Sequence, residues 1–174
     1  MRTVVFGGAT TLDNFLARPD GSVDWILWGN EAAEIMAKYW RRFDAIVMGR
    51  KTYEFALRMG QSGGYPGMKT VVFSRTLQSK DSGDVEIVSA DAVDFVRRLK
   101  SEEGKDICVM GGGILAKSLF EADLIDEIGF NIHPVLLGSG IPLFYEMSHQ
   151  FNLELLECRP FKNGCVLVTY RVQH

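Results

Sequence analysis

Apolar and polar residues fall into blocks along this chain, and the period of the pattern switches repeatedly between two values. Short runs rich in Val, Ile and Phe predict strands near Thr3–Ala9, Ala45–Gly49, Thr70–Ser74, Val85–Val88, Ile107–Met110, Glu127–Pro134, Asn152–Arg159 and Cys165–Val172. Between them, apolar residues recur at steps of three and four and predict helices near Glu31–Phe43, Lys51–Met59, Asp91–Glu103 and Ile114–Ala122. In the first helix Ala33, Met36, Trp40 and Phe43 define one apolar stripe, with Glu31, Ile35 and Tyr39 flanking it. In the third, Val93, Val96 and Leu99 do the same, with Asp91 placed to cap the helix and Gly104 to stop it. Strands separated by single helices imply βαβ units and a largely parallel sheet. Asn163-Gly164, between the last two strands, signals a closing antiparallel hairpin. The pattern predicts one mixed-sheet α/β domain over residues 1–174, with no internal repeat or linker.

Composition narrows the class. A chain of 174 residues, 47% hydrophobic with 11 Phe, can build a core without staples. The formal net charge of −3 and the absence of basic runs beyond Arg41-Arg42 and Arg97-Arg98 argue against a nucleic-acid surface. Cys108, Cys158 and Cys165 have neither disulfide-framework nor metal-ligand spacing, and His133, His149 and His174 do not cluster. They read as buried, reduced thiols and no metal site. The N-terminus turns polar too early for a signal peptide, and no apolar run is long enough to span a membrane. A cytoplasmic protein is expected.

Chemistry concentrates at three strand ends. In DICVMGGGILAKSLFEA, Asp106 to Ala122, Val109 and Met110 close a strand, Gly111 to Gly113 remove every Cβ, and a helix follows. Backbone N–H groups in such a turn can approach a phosphate closely. After Ala45–Met48, Gly49 ends a strand while Arg50, Lys51 and Thr52 open a helix, adding cations and a hydroxyl to the helix dipole. After Thr70–Phe73, the run Ser74-Arg75-Thr76 suits a phosphomonoester, such as the 2′-phosphate that separates NADPH from NADH. In an open α/β sheet, ligands collect beyond the carboxyl ends of the strands, so three such ends predict one dinucleotide-like site.

The ordered set MGRKTYE, SRT, GGG and DEIGFNIHPVLLGSGIPLF, with TTLDNFLARPDGSVDW near the N-terminus, resembles the dihydrofolate reductase superfamily. The branch it resembles contains the reductase domain of bifunctional riboflavin biosynthesis enzymes and stand-alone dihydrofolate reductase-like proteins. The resemblance covers nearly the whole chain. It implies a three-layer fold, a mixed, mostly parallel sheet of about eight strands with flanking helices. It also implies that Ala9 and Leu16 line a nicotinamide pocket, that Gly49, Arg50, Lys51 and Thr52 hold the phosphates of NADPH, and that Ser74 and Arg75 hold its adenosine end. Val109 and Gly111, Gly112, Gly113, Ile114 and Leu115 would flank its pyrophosphate.

The expected reaction is hydride transfer to a small heterocycle, a pterin or a riboflavin-pathway aminopyrimidine, 5-amino-6-(5-phosphoribosylamino)uracil. Glu31 is the candidate acid, with Glu34 as its rival, and Asn131, Ile35 and Trp25 are candidate substrate contacts. Trp25 and Trp28 would bracket the entrance, where one can stack on a flat ring. The branch usually carries Asp-Gly where this chain has Asp13-Asn14, and its riboflavin members an acidic residue where this chain has Met110. The family further implies a homodimer. The competing expectation is a non-catalytic dinucleotide-binding or sensing protein with the same cleft.

Overall fold

A computed structural model of the protein, describing residues 1–77 and 85–174, realises all eight predicted strands and all four predicted helices. In chain order the elements are β1 (Val4–Thr11), β2 (Phe15–Ala17), α1 (Asn30–Trp40), β3 (Phe43–Gly49), α2 (Arg50–Arg58), β4 (Lys69–Phe73) and β5 (Glu86–Val88). They continue with α3 (Ala92–Ser101), β6 (Asp106–Met110), α4 (Gly113–Glu121), β7 (Glu127–His133), β8 (Ile141–Pro142), β9 (Asn152–Pro160) and β10 (Val166–Gln173). Eight strands form one sheet in the order β5-β4-β3-β6-β1-β7-β10-β9. The six from β5 to β7 are parallel, and β10 and β9 finish the sheet antiparallel around the Asn163-Gly164 turn. The two strands absent from the sequence pattern, β2 and β8, pair only with each other. With three and two residues they are too short to show a period.

Successive side chains of a strand point to opposite faces, so central strands must be apolar throughout. Val4, Phe6, Val47 and Val109 pack beneath α3 and α4 with Val96, Leu119 and Phe120. Val5, Ile46, Met48 and Cys108 face the other way with Phe43 and Tyr53. This sandwich of sheet between helix layers is the expected three-layer arrangement.

Four local expectations need correction. The buried stripe of α1 is offset by one residue: Ala32 is buried and Ile35 and Tyr39 half-buried, whereas Ala33 is exposed. The cause is that α1 packs across the hairpin as well as the sheet. Ala32 and Ile35 meet Phe161, Cys165 and Leu167, while Tyr39 and Trp40 lie over the core beside Phe43. The helix also ends at Trp40, because Phe43 already belongs to β3. Asp91 caps α3 as expected, accepting from the Val93 and Asp94 N–H groups, but Gly104 lies beyond the C-cap, Glu102. It lacks a side chain because the Arg2–Asp44 ion pair packs there, a Cβ falling 2.7 Å from Asp44 Oδ2. Finally, Cys158 is exposed on the edge strand β9, while Cys108 and Cys165 are buried. Burial pushes the Cys108 thiol up to about 12, so it stays protonated.

Candidate active site

Charge is divided between the two ends of the parallel strands. At the amino ends, carboxylates are paired: Arg42 donates to Asp106 at 2.7 Å and to Glu127 at 2.9 Å, and Lys100 donates to Asp126 at 2.7 Å. The carboxyl ends carry glycines, hydroxyls and cations instead, and among the described residues neither Lys51 nor Arg75 has an ion-pair partner. That edge is the one available to an anion.

There the ends of β4, β3 and β6 lie side by side, and their turns touch. Gly49 is the N-cap of α2 and offers no side-chain cap, so the first-turn N–H groups at Arg50, Lys51 and Thr52 lack intrahelical acceptors. Thr52 packs directly on Gly111, where a Cβ would overlap its Oγ1 and lie 2.7 Å from its Cγ2. Gly111 and Gly112 both adopt left-handed backbone, at φ 60° and 57°. A Cβ on Gly113 would sit 2.6 Å from the Leu143 carbonyl oxygen. The glycine turn is thus closed from behind and open only outward. Arg50 joins the third turn by donating Nη1 to Thr76 Oγ1 at 3.2 Å.

The remaining cofactor candidates divide by role. Ser74 accepts from the Thr76 and Leu77 N–H groups at 3.2 and 3.0 Å, so its hydroxyl shapes the turn. Arg75 is exposed beside it, on a cavity of ≈ 260 Å³ lined by Ser74, Arg75, Val88, Ser89, Asp91 and Ser118. Val109 is fully buried in the core beneath α3 and α4, so only its backbone reaches this edge. Ile114 is exposed, Leu115 and Leu16 are half-buried against that core, and Ala9 is half-buried at the end of β1.

Next to Ala9 in register stands Asn131 on β7, with Gly7 beside Gly129 before it and Thr11 beside His133 after it. Three buried polar atoms without hydrogen-bond partners among the described residues fall along this stretch: Tyr39 Oη, Asn131 Oδ1 and Trp25 Nε1. The Tyr39 hydroxyl lies over the paired glycines, and Trp25 packs edge-on against His133 at 5.2 Å. Tyr39 lies against Gly129, Asn131 is two residues on and Trp25 packs on His133 two further, so the orphans follow one face of β7 at steps of about 7 Å. Buried polar groups are normally paired, which makes such a row a ligand-site signature. Burial raises the Tyr39 pKa, so the phenol remains a donor.

Glu31 accepts from the Lys162 N–H at 3.0 Å, tying α1 to the hairpin tip, and Glu34 is exposed. Ile35 is half-buried beside Ala32, Trp25 is buried, and Trp28 is 83% exposed. In the sequence Tyr39 reads only as part of the stripe flanking the α1 core face, and His133 only as one of three unclustered histidines. The available signal was Asn131-Ile132-His133 on one strand, since i and i+2 share a face.

The loop after β1 is held by Asp13. Its carboxylate accepts from the Thr11 hydroxyl at 2.6 Å and from the Gly138 N–H at 2.8 Å, and the Thr11 bond foremost holds its pKa below the usual carboxylate range. Asn14 has φ 61°, a left-handed backbone that asparagine tolerates.

His133 is buried, and burial lowers its pKa below 6.5. An unfolded chain therefore binds a proton between about 6.5 and the lower folded value while the folded chain does not. Stability from this group is complete above pH 6.5 and declines as pH falls through that window. Urea unfolding of wild type and His133→Asn at about pH 7.5 and 5.5 should show a steeper acid loss in wild type. Equal slopes would mean that His133 titrates normally.

A mixed, mostly parallel eight-stranded sheet between helix layers, finished by an antiparallel hairpin, is the dihydrofolate reductase-like fold. The sequence profile described as "RibD C-terminal domain" matches residues 2–167, and the chain belongs to that family. It is 32% identical to the uncharacterized protein YwjB of Bacillus subtilis (strain 168), covering 92% of each chain. Its fold is similar to that of a Shewanella sp. PV-4 protein assigned provisionally to riboflavin biosynthesis, at 26% identity, full coverage of both chains and a TM-score of 0.84. It is also similar to dihydrofolate reductase from Enterococcus faecalis, solved with NADP(H), at 17% identity, a TM-score of 0.73, and coverage of 99% of this chain and 97% of that one.

Proposed function

We propose that the protein is an NADPH-dependent reductase of a small heterocycle. The observation that carries this reading is the contact of three phosphate-suited turns, Gly49–Thr52, Ser74–Thr76 and Gly111–Gly113, at adjacent parallel strand ends. The glycine turn, closed behind by Thr52 and Leu143, offers backbone N–H groups to a pyrophosphate. Arg75, without an ion-pair partner among the described residues and on the cavity beyond β4, suits a 2′-phosphate. The dinucleotide, when bound, supplies the hydride. Ala9 and Leu16 would flank its nicotinamide, and Trp25 and Tyr39 would keep water from the acceptor. Glu31, one oxygen held by Lys162, would grip the substrate edge through the other.

The test is a titration with NADPH and NADH followed by NADPH oxidation with dihydrofolate and with the riboflavin-pathway aminopyrimidine. Binding with turnover of either acceptor supports the reading, and no binding of either dinucleotide sinks it. Arg75→Ala should weaken NADPH about tenfold or more while changing NADH about twofold or less, because a charge-assisted bond to the 2′-phosphate is lost. Equal losses would remove that role from Arg75. A second reading, a dinucleotide-binding sensor, is favoured by the engagement of Glu31 with the hairpin. Tight NADPH binding without turnover on either acceptor would select it.

A further inference from the structure

The hydrogen bonds around His133 determine which way the Asn131 amide faces. Leu27 N–H lies 3.1 Å from His133 Nδ1, and a backbone N–H can only donate. Nδ1 therefore carries a lone pair, and an imidazolium, with hydrogen on both nitrogens, is incompatible with that contact. The Cys165 thiol, 3.3 Å from the same Nδ1 and kept protonated by burial, can share that lone pair as a second, weaker donor. The proton of the neutral ring sits on Nε2, which is then a donor. The near end of the Asn131 amide is 3.2 Å from Nε2. As nitrogen it would oppose donor to donor, so oxygen belongs at that end, the two ends of an amide being alike in shape. The NH₂ then occupies the other end, where Asn131 is 92% buried and finds no partner among the described residues.

We propose that His133 is a positioning residue that locks Asn131 with its NH₂ toward the ligand, so that the heterocycle is held through a carbonyl oxygen. This rests on the reductase reading and narrows its substrate class to ring systems with an oxo group at the edge met by β7. Two unpaired N–H donors in a buried position are costly to desolvate, and an acceptor on the ligand relieves that cost. An amino group in the same place would leave four donors facing one another. Discrimination of this kind is large, because the wrong ligand leaves buried polar groups unpaired.

Two measurements test this. Nitrogen chemical shifts of the His133 ring in the NADP⁺-loaded protein should show protonated Nε2 and unprotonated Nδ1. A protonated Nδ1 would overturn the proposal whatever the protein binds. The second uses a pair of probes on one scaffold, 5,6-diaminouracil and tetraaminopyrimidine, which exchanges ring carbonyls for amino groups. Wild type should prefer diaminouracil by about tenfold or more. Asn131→Asp, whose other oxygen accepts, should reverse the preference. His133→Asn keeps an acceptor for Leu27 but loses the Nε2 donor, and should flatten the preference with NADPH affinity unchanged. No preference in wild type, or binding of neither probe by protein that does bind NADPH, would overturn the proposal and leave the cofactor reading intact. Failure to bind NADPH would instead remove the reductase reading.

Discussion

Gly7→Ala should lower stability by about 2–3 kcal/mol, a fall of about 5–10 °C in melting temperature for a chain of this size. In an ordinary strand this substitution would stabilise, since alanine restricts the unfolded chain and gains up to about 1 kcal/mol. Here the added Cβ would lie 2.6 Å from the Gly129 carbonyl oxygen and 2.9 Å from the Tyr39 hydroxyl. The first is backbone of a central strand pair and cannot yield without opening the β1–β7 ladder. The steric term therefore exceeds the entropic gain. Gly29→Ser is the matched control: nothing lies within 4 Å, the backbone is extended at φ −176°, and α1 has no side-chain cap. It should be neutral or stabilising by about a few tenths of a kcal/mol. Urea unfolding of the two variants beside wild type reads both signs, and a neutral Gly7→Ala would mean that β1 and β7 can move apart.

The same pair of glycines shows where the sequence pattern stopped being informative. Strand periodicity placed VVF of β1 and the DEIGFNIH segment, because apolar runs in a parallel sheet are buried on both faces. It could not place Tyr39, since nothing local says that a gap at Gly7 and Gly129 awaits a phenol one helix away. The offset of the α1 stripe has the same origin. Ala33 and Met36 have the spacing of a core face, but the hairpin at Phe161 and Cys165 draws Ala32 inward. The cofactor edge was more legible because turn chemistry is local. Gly49, Ser74 and Gly111 each announce a turn by residue type and parallel strands put all three at one edge, but their adjacency comes from the strand order β4-β3-β6. The polar row on β7 was only half legible. Asn131 was marked by resemblance, whereas His133 acquires meaning only through Leu27, 106 residues away.

That adjacency has a measurable consequence in Gly111→Ala, which should weaken NADPH binding by roughly ten- to a hundredfold. Alanine at φ 60° costs about 1–2 kcal/mol of backbone strain, and its Cβ meets Thr52. The two penalties differ in kind. Strain belongs to residue 111 and persists whatever its neighbour, while the clash vanishes when Thr52 is shortened. A double-mutant cycle with Thr52→Ala separates them, because residues in contact couple and distant ones add. Thr52→Ala alone should weaken NADPH about tenfold through loss of one hydroxyl contact. If the turns after β3 and β6 form one phosphate site, the double variant should bind less weakly than the product of the single losses predicts. Much of the stability lost in Gly111→Ala should return with it, since the side chain being overlapped is gone. Strict additivity in both binding and unfolding would mean that the two turns act independently, and that the pyrophosphate is not shared between them.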